Sequence, residues 1–129
     1  MPSLLLVMLG GAFGSGARHL VGRATLALFG PGYPWGTLVV NVTGGLAMGV
    51  LAGVLARFGQ GGEQWRLLLG VGLLGGYTTF SAFSLDAMVL IERGDWASAI
   101  GYAVASVIGA ISALALGLMV ARAMARAVA

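Results

Sequence analysis

Residues 97–121 read ASAIGYAVASVIGAISALALGLMVA, a run of 25 residues without one charged side chain. About 20 mainly apolar residues in a helix cross the roughly 30 Å hydrocarbon core of a bilayer, so this run is long enough to span it. Its apolar residues follow one another instead of alternating with polar ones, which argues against a strand of a membrane β-barrel. The run therefore predicts a transmembrane helix and places the chain among integral membrane proteins.

The composition of the whole chain supports the same class. Of its 129 residues 59% are hydrophobic and 9% are charged, and the mean hydropathy is +0.98. A soluble domain carries about 25% charged residues, so this chain has too few to cover a water-facing surface. All 7 basic residues are arginines at the edges of apolar runs, where they anchor membrane helices, and we expect no nucleic-acid partner. The absence of cysteine from the sequence excludes disulfides and thiol chemistry.

Three earlier stretches are also long and apolar enough to span a membrane. The four predicted spans cover about residues 3–27, 36–56, 65–90 and 97–121, and short connections separate them. The first is not a secretory signal, because Arg18 follows its apolar part instead of preceding it. We therefore predict an all-α fold, with one four-span membrane domain over residues 1–129 and both termini on the same side.

The arginines give almost no signal for the direction of insertion. Four lie on the side of the termini and three on the other, namely Arg57, Arg66, Arg122 and Arg126 against Arg18, Arg23 and Arg93. An unequal distribution of basic residues normally sets the orientation of a membrane protein. A split this even has two interpretations: a weak signal in a small protein, or a chain that inserts in both directions and pairs with an inverted copy of itself. Charge counting leaves both open.

Small residues recur at helical spacing in two of the spans. Gly45, Gly49 and Gly53 are four residues apart in the second span, and Gly109 and Gly117 are two turns apart in the fourth. Such stripes let two membrane helices approach closely. Ordinary helix packing explains most of them, and so small a chain also favours assembly into oligomers.

The third span carries the largest cluster of polar residues. Residues 72–84 read GLLGGYTTFSAFS, with paired glycines and paired threonines near mid-membrane. Broken membrane helices are tolerated where their freed backbone groups line a cavity or bind an ion. We predict that the third helix is broken near mid-membrane, with freed carbonyls that suit a small cation. A kinked helix whose threonines bond back to the preceding turn is the alternative.

Several uncharged side chains could line a polar path. Phe80 and Phe83 share one face of the third span, and their spacing alone favours packing or lipid contact, although a ring edge can face an anion. Asn41 lies in the second span after Thr37, and its amide suits a bond to a neighbouring helix and a bond to an anion equally well. These residues by themselves do not distinguish an anion pathway from ordinary helix packing.

The remaining polar residues concern the fourth span and the end of the first. Tyr102 and Ser106 are four residues apart and share a face. Arg18 is interpreted as a vestibule residue that draws anions in, and its neighbour His19 as an interfacial residue. No charged residue lies at the centre of a span, which argues against proton-coupled transport. The sequence has no Walker motif, nucleophile elbow or metal-ligand cluster, so we predict passive permeation and no enzymatic activity.

Three motifs on the first three spans are similar to those of one known family. They are GGAFGSGAR at residues 10–18, GTLVVNVTG at 36–44 and GGYTTFSAF at 75–83. In this order they make the chain resemble the Fluc/CrcB family of fluoride channels over essentially its whole length. The resemblance also changes the interpretation of the two phenylalanines from packing residues to anion contacts.

The resemblance implies an antiparallel, dual-topology homodimer in the inner (plasma) membrane of a bacterial cell, with two pores that export fluoride passively and protect the cell from fluoride toxicity. It implies a structural sodium ion (Na+) held by the carbonyls of Gly75 and Thr78 at the helix break, with Thr79 beside them. Arg18 would lie in the vestibule. The implied pore residues are Thr37, Asn41, Phe80, Ser81, Phe83, Tyr102 and Ser106.

The sequence departs from the family pattern at two positions. Ala82 stands where the family often has Thr or Ser, and Ala110 stands where it has a hydroxyl, so one end of the pore has fewer hydroxyl donors.

Two other classes of membrane protein are alternatives. A small multidrug-type transporter would need an acidic residue in the first span, and residues 3–17 contain none. A non-transporting structural membrane protein would explain the glycine stripes but not the polar cluster.

Overall fold

The computed structural model describes residues 2–128, and every regular element within them is helical. Four helices are long and apolar enough to cross a membrane: α1 (Pro2–Phe29), α2 (Trp35–Leu55), α3 (Gly59–Glu92) and α4 (Trp96–Val128). The prediction of an all-α fold with four membrane spans is confirmed, and the chain is a multi-pass membrane protein. α4 continues seven residues past the predicted end at Ala121, because the Ala, Met and Arg residues that follow are strong helix formers.

Helix α3 is broken, as predicted. Its first arm, residues 59–77, ends at Tyr77, and its second arm is Phe80–Glu92. Between the arms Thr78 (φ −86°, ψ 160°) and Thr79 (φ −155°, ψ 124°) are extended. The Thr78 hydroxyl also donates to the Leu74 carbonyl at 2.9 Å, so the back-bonding expected of a kinked helix occurs here beside a true interruption.

The first arm is itself irregular. It begins with a 3₁₀ turn at Gly59–Gly62, and a short turn at Glu63–Trp65 follows it. About half of the arm, Arg66–Leu74, is a π-helix. This wide helix is rare, and where it occurs it often lies at a functional site. The third span is therefore irregular on one side of its break and a regular α-helix on the other.

Two glycines in the left-handed region end helices on the same side of the bundle. After the second arm of α3, the Gly94 N–H (φ 78°) donates to the Ile91 carbonyl at 2.9 Å and the Asp95 N–H donates to the Leu90 carbonyl at 3.0 Å. This pair of bonds is a Schellman ending, which glycine adopts without steric penalty. Gly30 (φ 78°) ends α1. The short turns that follow make consecutive helices antiparallel.

The glycine stripes pack helices of the same chain together. A Cβ added at Gly49 of α2 would collide with the Leu114 carbonyl of α4, and one added at Gly117 of α4 would collide with the Leu46 carbonyl of α2. A Cβ at Gly14 of α1 would likewise collide with the backbone of the first arm of α3. The close approach that the stripes predict is therefore used inside the chain, where α2 packs on α4 and α1 packs on α3.

We expect Gly49→Ala to destabilise the fold. The added methyl would lie 2.9 Å from the Leu114 carbonyl carbon and 3.1 Å from the Gly117 Cα, so the two helices must separate. Overpacking of this kind costs about 1–3 kcal/mol. Gly101→Ala is the matched control, because a Cβ there meets nothing within 4 Å and should add about 0.5–1 kcal/mol of stability. Thermal unfolding of both purified variants measures the difference, and equal midpoints would contradict close packing at Gly49.

Candidate functional site

Asn41 of α2 holds the break in α3. Its Nδ2 donates to the Thr79 carbonyl at 3.0 Å, and the Thr79 N–H donates to its Oδ1 at 2.8 Å. One amide side chain thus satisfies both backbone groups of this extended residue, which a neighbouring strand would do in a sheet. Asn41 therefore bonds a neighbouring helix, and its Nδ2 retains a second hydrogen for another acceptor.

The way in which the break is held leaves several carbonyls of α3 without their usual donors, and those of Gly75 and Thr78 are two of them. In an unbroken helix the Thr79 N–H would donate to the Gly75 carbonyl, and the Ala82 N–H would donate to the Thr78 carbonyl. Here the first N–H donates to Asn41, and the second donates to the Thr79 hydroxyl at 3.1 Å, which caps the second arm. The two freed carbonyls are those expected from the family resemblance to face a cation.

The two phenylalanines begin the second arm of α3. The ring centroids of Phe80 and Phe83 lie 5.5 Å apart. Phe83 is partly buried and packs on the Tyr102 ring at 5.2 Å, and Tyr102 meets the Tyr33 ring edge-on at 5.6 Å. Phe80, in contrast, is 77% exposed. Phe80 contacts the Phe83 ring, but most of its surface is open to an ion, a lipid or a second protein.

Asp86 lies among the predicted site residues, although no role was predicted for it. The Thr37 hydroxyl donates to Asp86 Oδ2 at 2.7 Å, and the fully buried Tyr102 donates to the same oxygen at 3.1 Å. One carboxylate thus ties α2, the second arm of α3 and α4 together. A signal was present in the sequence, because Asp86 follows Phe83 by three residues and so lies on the same helix face.

The two serines of the predicted site lie in different surroundings. Ser106 is 6% exposed, and its buried Oγ has no hydrogen-bond partner among residues 2–128. An unpaired buried hydroxyl costs about 1–3 kcal/mol, so a polar atom of an ion or a water would find an unused donor there. Ser81 is exposed, and its Oγ lies 3.4 Å from the Thr79 hydroxyl.

A cavity of about 640 Å³ opens beside the break. Its lining includes Thr37, Thr79 and Asp86 together with the basic residues Arg18, His19, Arg23 and Arg93. Arg18 reaches the break itself, because its Nε donates to the Gly76 carbonyl at 3.2 Å. Several basic side chains around one cavity attract anions. The cavity is therefore suited to attract an anion to the side of the break.

The structure brings the predicted residues together in two hydrogen-bonded groups. One is Asn41 with Thr79, which sets the geometry of Gly75 and Thr78. The other is Thr37 with Asp86 and Tyr102, against which Phe83 packs. Phe80 and Ser106 join neither group through a hydrogen bond among residues 2–128.

A model of the family described as CrcB-like protein, Camphor Resistance (CrcB), matches residues 5–118. The chain belongs to the CrcB family. The membership suggested by the three motifs is therefore confirmed, and the match runs from the first span into the fourth.

Relatives of known name are similar to the chain over nearly its full length. A protein of Sphingopyxis alaskensis is 59% identical over 122 residues, which are 95% of this chain and 97% of the relative. One from Mesorhizobium japonicum is 55% identical over 95% of this chain and 98% of its own, and one from Novosphingobium aromaticivorans is 50% identical over the same shares. Each is named Fluoride-specific ion channel FluC.

We expect Asn41→Leu to destabilise the break and Asn41→Asp to do so less. Leu leaves the Thr79 N–H unpaired, at about 1–3 kcal/mol, and removes the amide donor from the Thr79 carbonyl, whereas Asp still accepts from the Thr79 N–H. Thr43→Val is the control on the same helix, because the exposed Thr43 hydroxyl bonds its own helix and the Tyr77 hydroxyl. Thermal unfolding in detergent ranks the three variants. A midpoint for Asn41→Leu no lower than that of the control would contradict this role.

Proposed function

We propose that this chain is a fluoride-selective ion channel that exports fluoride passively and protects the cell from fluoride toxicity. The observation that carries the proposal is the likeness, over 95% of the chain, to proteins named Fluoride-specific ion channel FluC. These relatives are named as channels, which fits a chain that is not an enzyme. We further propose that it lies in the inner membrane of a bacterial cell, because its four long helices are apolar and the named relatives are bacterial. Its proposed partners are fluoride and the lipid bilayer, and no nucleic-acid partner is proposed.

The chemistry of the site suits a small and strongly hydrated anion. Such an ion gives up water only where compensating donors line a narrow path. Asn41 has a second Nδ2 hydrogen, Ser106 has an unused hydroxyl and Phe80 has a largely exposed ring. None of these groups carries a full positive charge, so an anion would be held weakly enough to leave.

The hydroxyls of Thr37 and Tyr102 need a separate account. Both donate to Asp86 Oδ2, so neither proton is directed at an anion in this arrangement. Each hydroxyl would serve a passing anion only by turning away from the carboxylate. Because they are bonded to Asp86, Thr37 and Tyr102 could donate to an anion only after their hydroxyls turn, unlike Asn41 and Ser106.

Ion flux from liposomes tests the channel against its rivals. Purified protein is reconstituted in vesicles loaded with fluoride, and efflux is followed with a fluoride electrode, with chloride-loaded vesicles as the control. Fluoride efflux without chloride efflux is the expected result. Proton-coupled uptake of a cationic drug without fluoride efflux would favour the small multidrug-type transporter, and no flux of any kind would favour a structural protein.

A second, inverted copy is proposed to cover the break. Gly75, Phe80, Ser81 and Ser84 are exposed in the single chain, although they lie in the middle part of the third predicted span, residues 65–90. Freed backbone groups at that depth are tolerated only where protein or a water-filled cavity surrounds them. An antiparallel homodimer would bury the break of each chain against that of the other, and the even split of arginines permits both orientations.

The carbonyls of Gly75 and Thr78 are proposed to hold a structural sodium ion between the two copies. Unwound carbonyls in broken helices coordinate Na+ in membrane proteins. The donor set fits, because both carbonyls have lost their helical N–H partners and need no carboxylate to bind a monovalent ion. One chain offers two such oxygens and two chains offer four.

Sodium removal should therefore weaken the dimer. Exchange of all sodium for the large cation N-methylglucamine is expected to raise the monomer fraction in gel filtration and to lower fluoride efflux, and return of sodium should reverse both. In the presence of sodium, Thr78→Val, which keeps the backbone carbonyl, should lower fluoride efflux less than Gly75→Pro does. An unchanged dimer and unchanged efflux after exhaustive sodium removal would contradict the proposed site.

A further inference from the structure

A groove lies between the ends of α2 and α4, on the side of the bundle that holds the chain termini. Its volume is about 350 Å³, and its floor is close-packed, since a Cβ added at Gly53 would lie 2.5 Å from the Ala121 Cβ. The lining is three arginines and five small or apolar residues: Arg57, Arg122, Arg126, Ala52, Gly53, Ala56, Leu118 and Ala125. The groove is thus apolar along its length and basic at its rim.

The three arginines have no acidic partner among residues 2–128. The one salt bridge there joins Arg66 to Glu63 at 2.6 Å, and Glu63 is the only acidic residue at this end of the bundle. The other three, Asp86, Glu92 and Asp95, belong to the second arm of α3 and the turn after it, at the opposite end. No guanidinium of Arg57, Arg122 or Arg126 makes a hydrogen bond to another described side chain or carbonyl, so three positive charges surround one small groove uncompensated.

The position of the groove along the membrane normal agrees with a lipid headgroup. Arg122 follows Trp96 by 26 residues, which is about 39 Å along a helix. Tryptophan favours the membrane interface, and the bilayer with its headgroup layers is about 40–45 Å thick. With Trp96 at one interface, Arg122 reaches the headgroup layer of the opposite leaflet.

We propose that this groove binds an anionic phospholipid, with the phosphodiester held by the three arginines and the start of an acyl chain lying along Ala52, Ala56 and Leu118. Basic pockets between membrane helices recognise anionic headgroups, and a planar guanidinium matches the two oxygens of a phosphate. The apolar lining selects a lipid over free phosphate, because inorganic phosphate would leave that surface uncovered. The proposal rests on charge and depth and does not depend on fluoride conduction.

Binding of short-chain phosphatidylglycerol to the purified protein in detergent tests the proposal. Native mass spectrometry counts the lipids that stay bound, and phosphatidylcholine and inorganic phosphate serve as the other two probes. One phosphatidylglycerol per chain is expected. Each of Arg57→Gln and Arg122→Gln should weaken its binding about fivefold, and the triple variant with Arg126→Gln should weaken it about a hundredfold. Arg66→Gln removes the same charge at the same end but outside the groove, and it should bind as the wild type does.

Three results would overturn the proposal. Equal weakening in Arg66→Gln would show that the lipid responds to surface charge and not to the groove. Displacement of the lipid by inorganic phosphate at similar concentration would make the groove a site for a free anion. Loss of the dimer in Arg57→Gln and Arg122→Gln, with lipid binding unchanged, would show that the groove faces a second copy. Since all these side chains are exposed, the Gln variants should fold, and the two single variants lie on different segments, with Arg57 in the turn after α2 and Arg122 on α4.

Discussion

Phe80→Ile and Phe83→Ile are each expected to slow fluoride efflux by about tenfold, which corresponds to roughly 1.4 kcal/mol of lost stabilisation at the ion. Isoleucine keeps the bulk and the apolar character of the side chain but lacks the ring, whose positive edge can face an anion. Met at either position should restore part of the rate, because its thioether is polarisable. The measurement is fluoride efflux per reconstituted dimer, with gel filtration to verify assembly.

The structure predicts different effects of the two substitutions on the stability of the chain. Phe83 packs on Tyr102, so its replacement should also lower the free energy of unfolding by about 1 kcal/mol. Phe80 is 77% exposed in the single chain, so Phe80→Ile should change flux with little change in the stability of the monomer. Phe58→Ile is the matched control, since Phe58 is 61% exposed and lies in the connection between α2 and α3. Wild-type rates in both pore variants would remove the aromatic contact from the mechanism.

Two or three lysines added after Ala129 should abolish fluoride efflux when that variant is expressed alone. Basic residues are retained on the cytoplasmic side, and the present four-to-three split of arginines is too even to resist such a bias. All chains would then point the same way, and an antiparallel dimer could not form. The variant with the same number of glutamines added is the control and should conduct normally.

Co-expression provides the second half of this experiment. A version biased the other way, with lysines added in the turn at residues 30–34, should also be inactive alone. The two versions expressed together should restore efflux, because each supplies the inverted partner of the other. Full activity of either biased version by itself would show that the functional unit does not need opposite orientations.

The four spans and the broken third helix were predictable because they depend on local chemistry. Continuous apolar runs of about 20 residues specify membrane helices whatever their neighbours are. Paired glycines and paired threonines weaken a helix through their own backbone and side-chain preferences, and the extended pair is found at Thr78 and Thr79. The helix α4 runs to Val128, beyond the predicted end of the span at Ala121, because helix propensity continues past the hydrocarbon core.

The bonding of Asn41 illustrates what the sequence left open. Its amide suits an anion and a neighbouring helix equally well, and composition has no means of ranking them. In the folded chain it bonds Thr79, which is 38 residues away, through both its oxygen and its nitrogen. That choice is made by the packing of α2 beside α3, since an extended residue inside a membrane protein must find partners for both its backbone groups.

The sequence by itself determined that this protein is a four-span membrane protein, that its third span is interrupted, and which family its motifs resemble. Each of these follows from residues within one span or one motif. Only the tertiary structure decided that Asp86 accepts hydrogen bonds from Thr37 and Tyr102, and that the buried Ser106 hydroxyl has no hydrogen-bond partner among residues 2–128. It also decided that the glycine stripes form contacts between helices of the same chain. These features join residues of different helices, and the pairing of helix faces depends on close packing of whole surfaces, which no single span encodes.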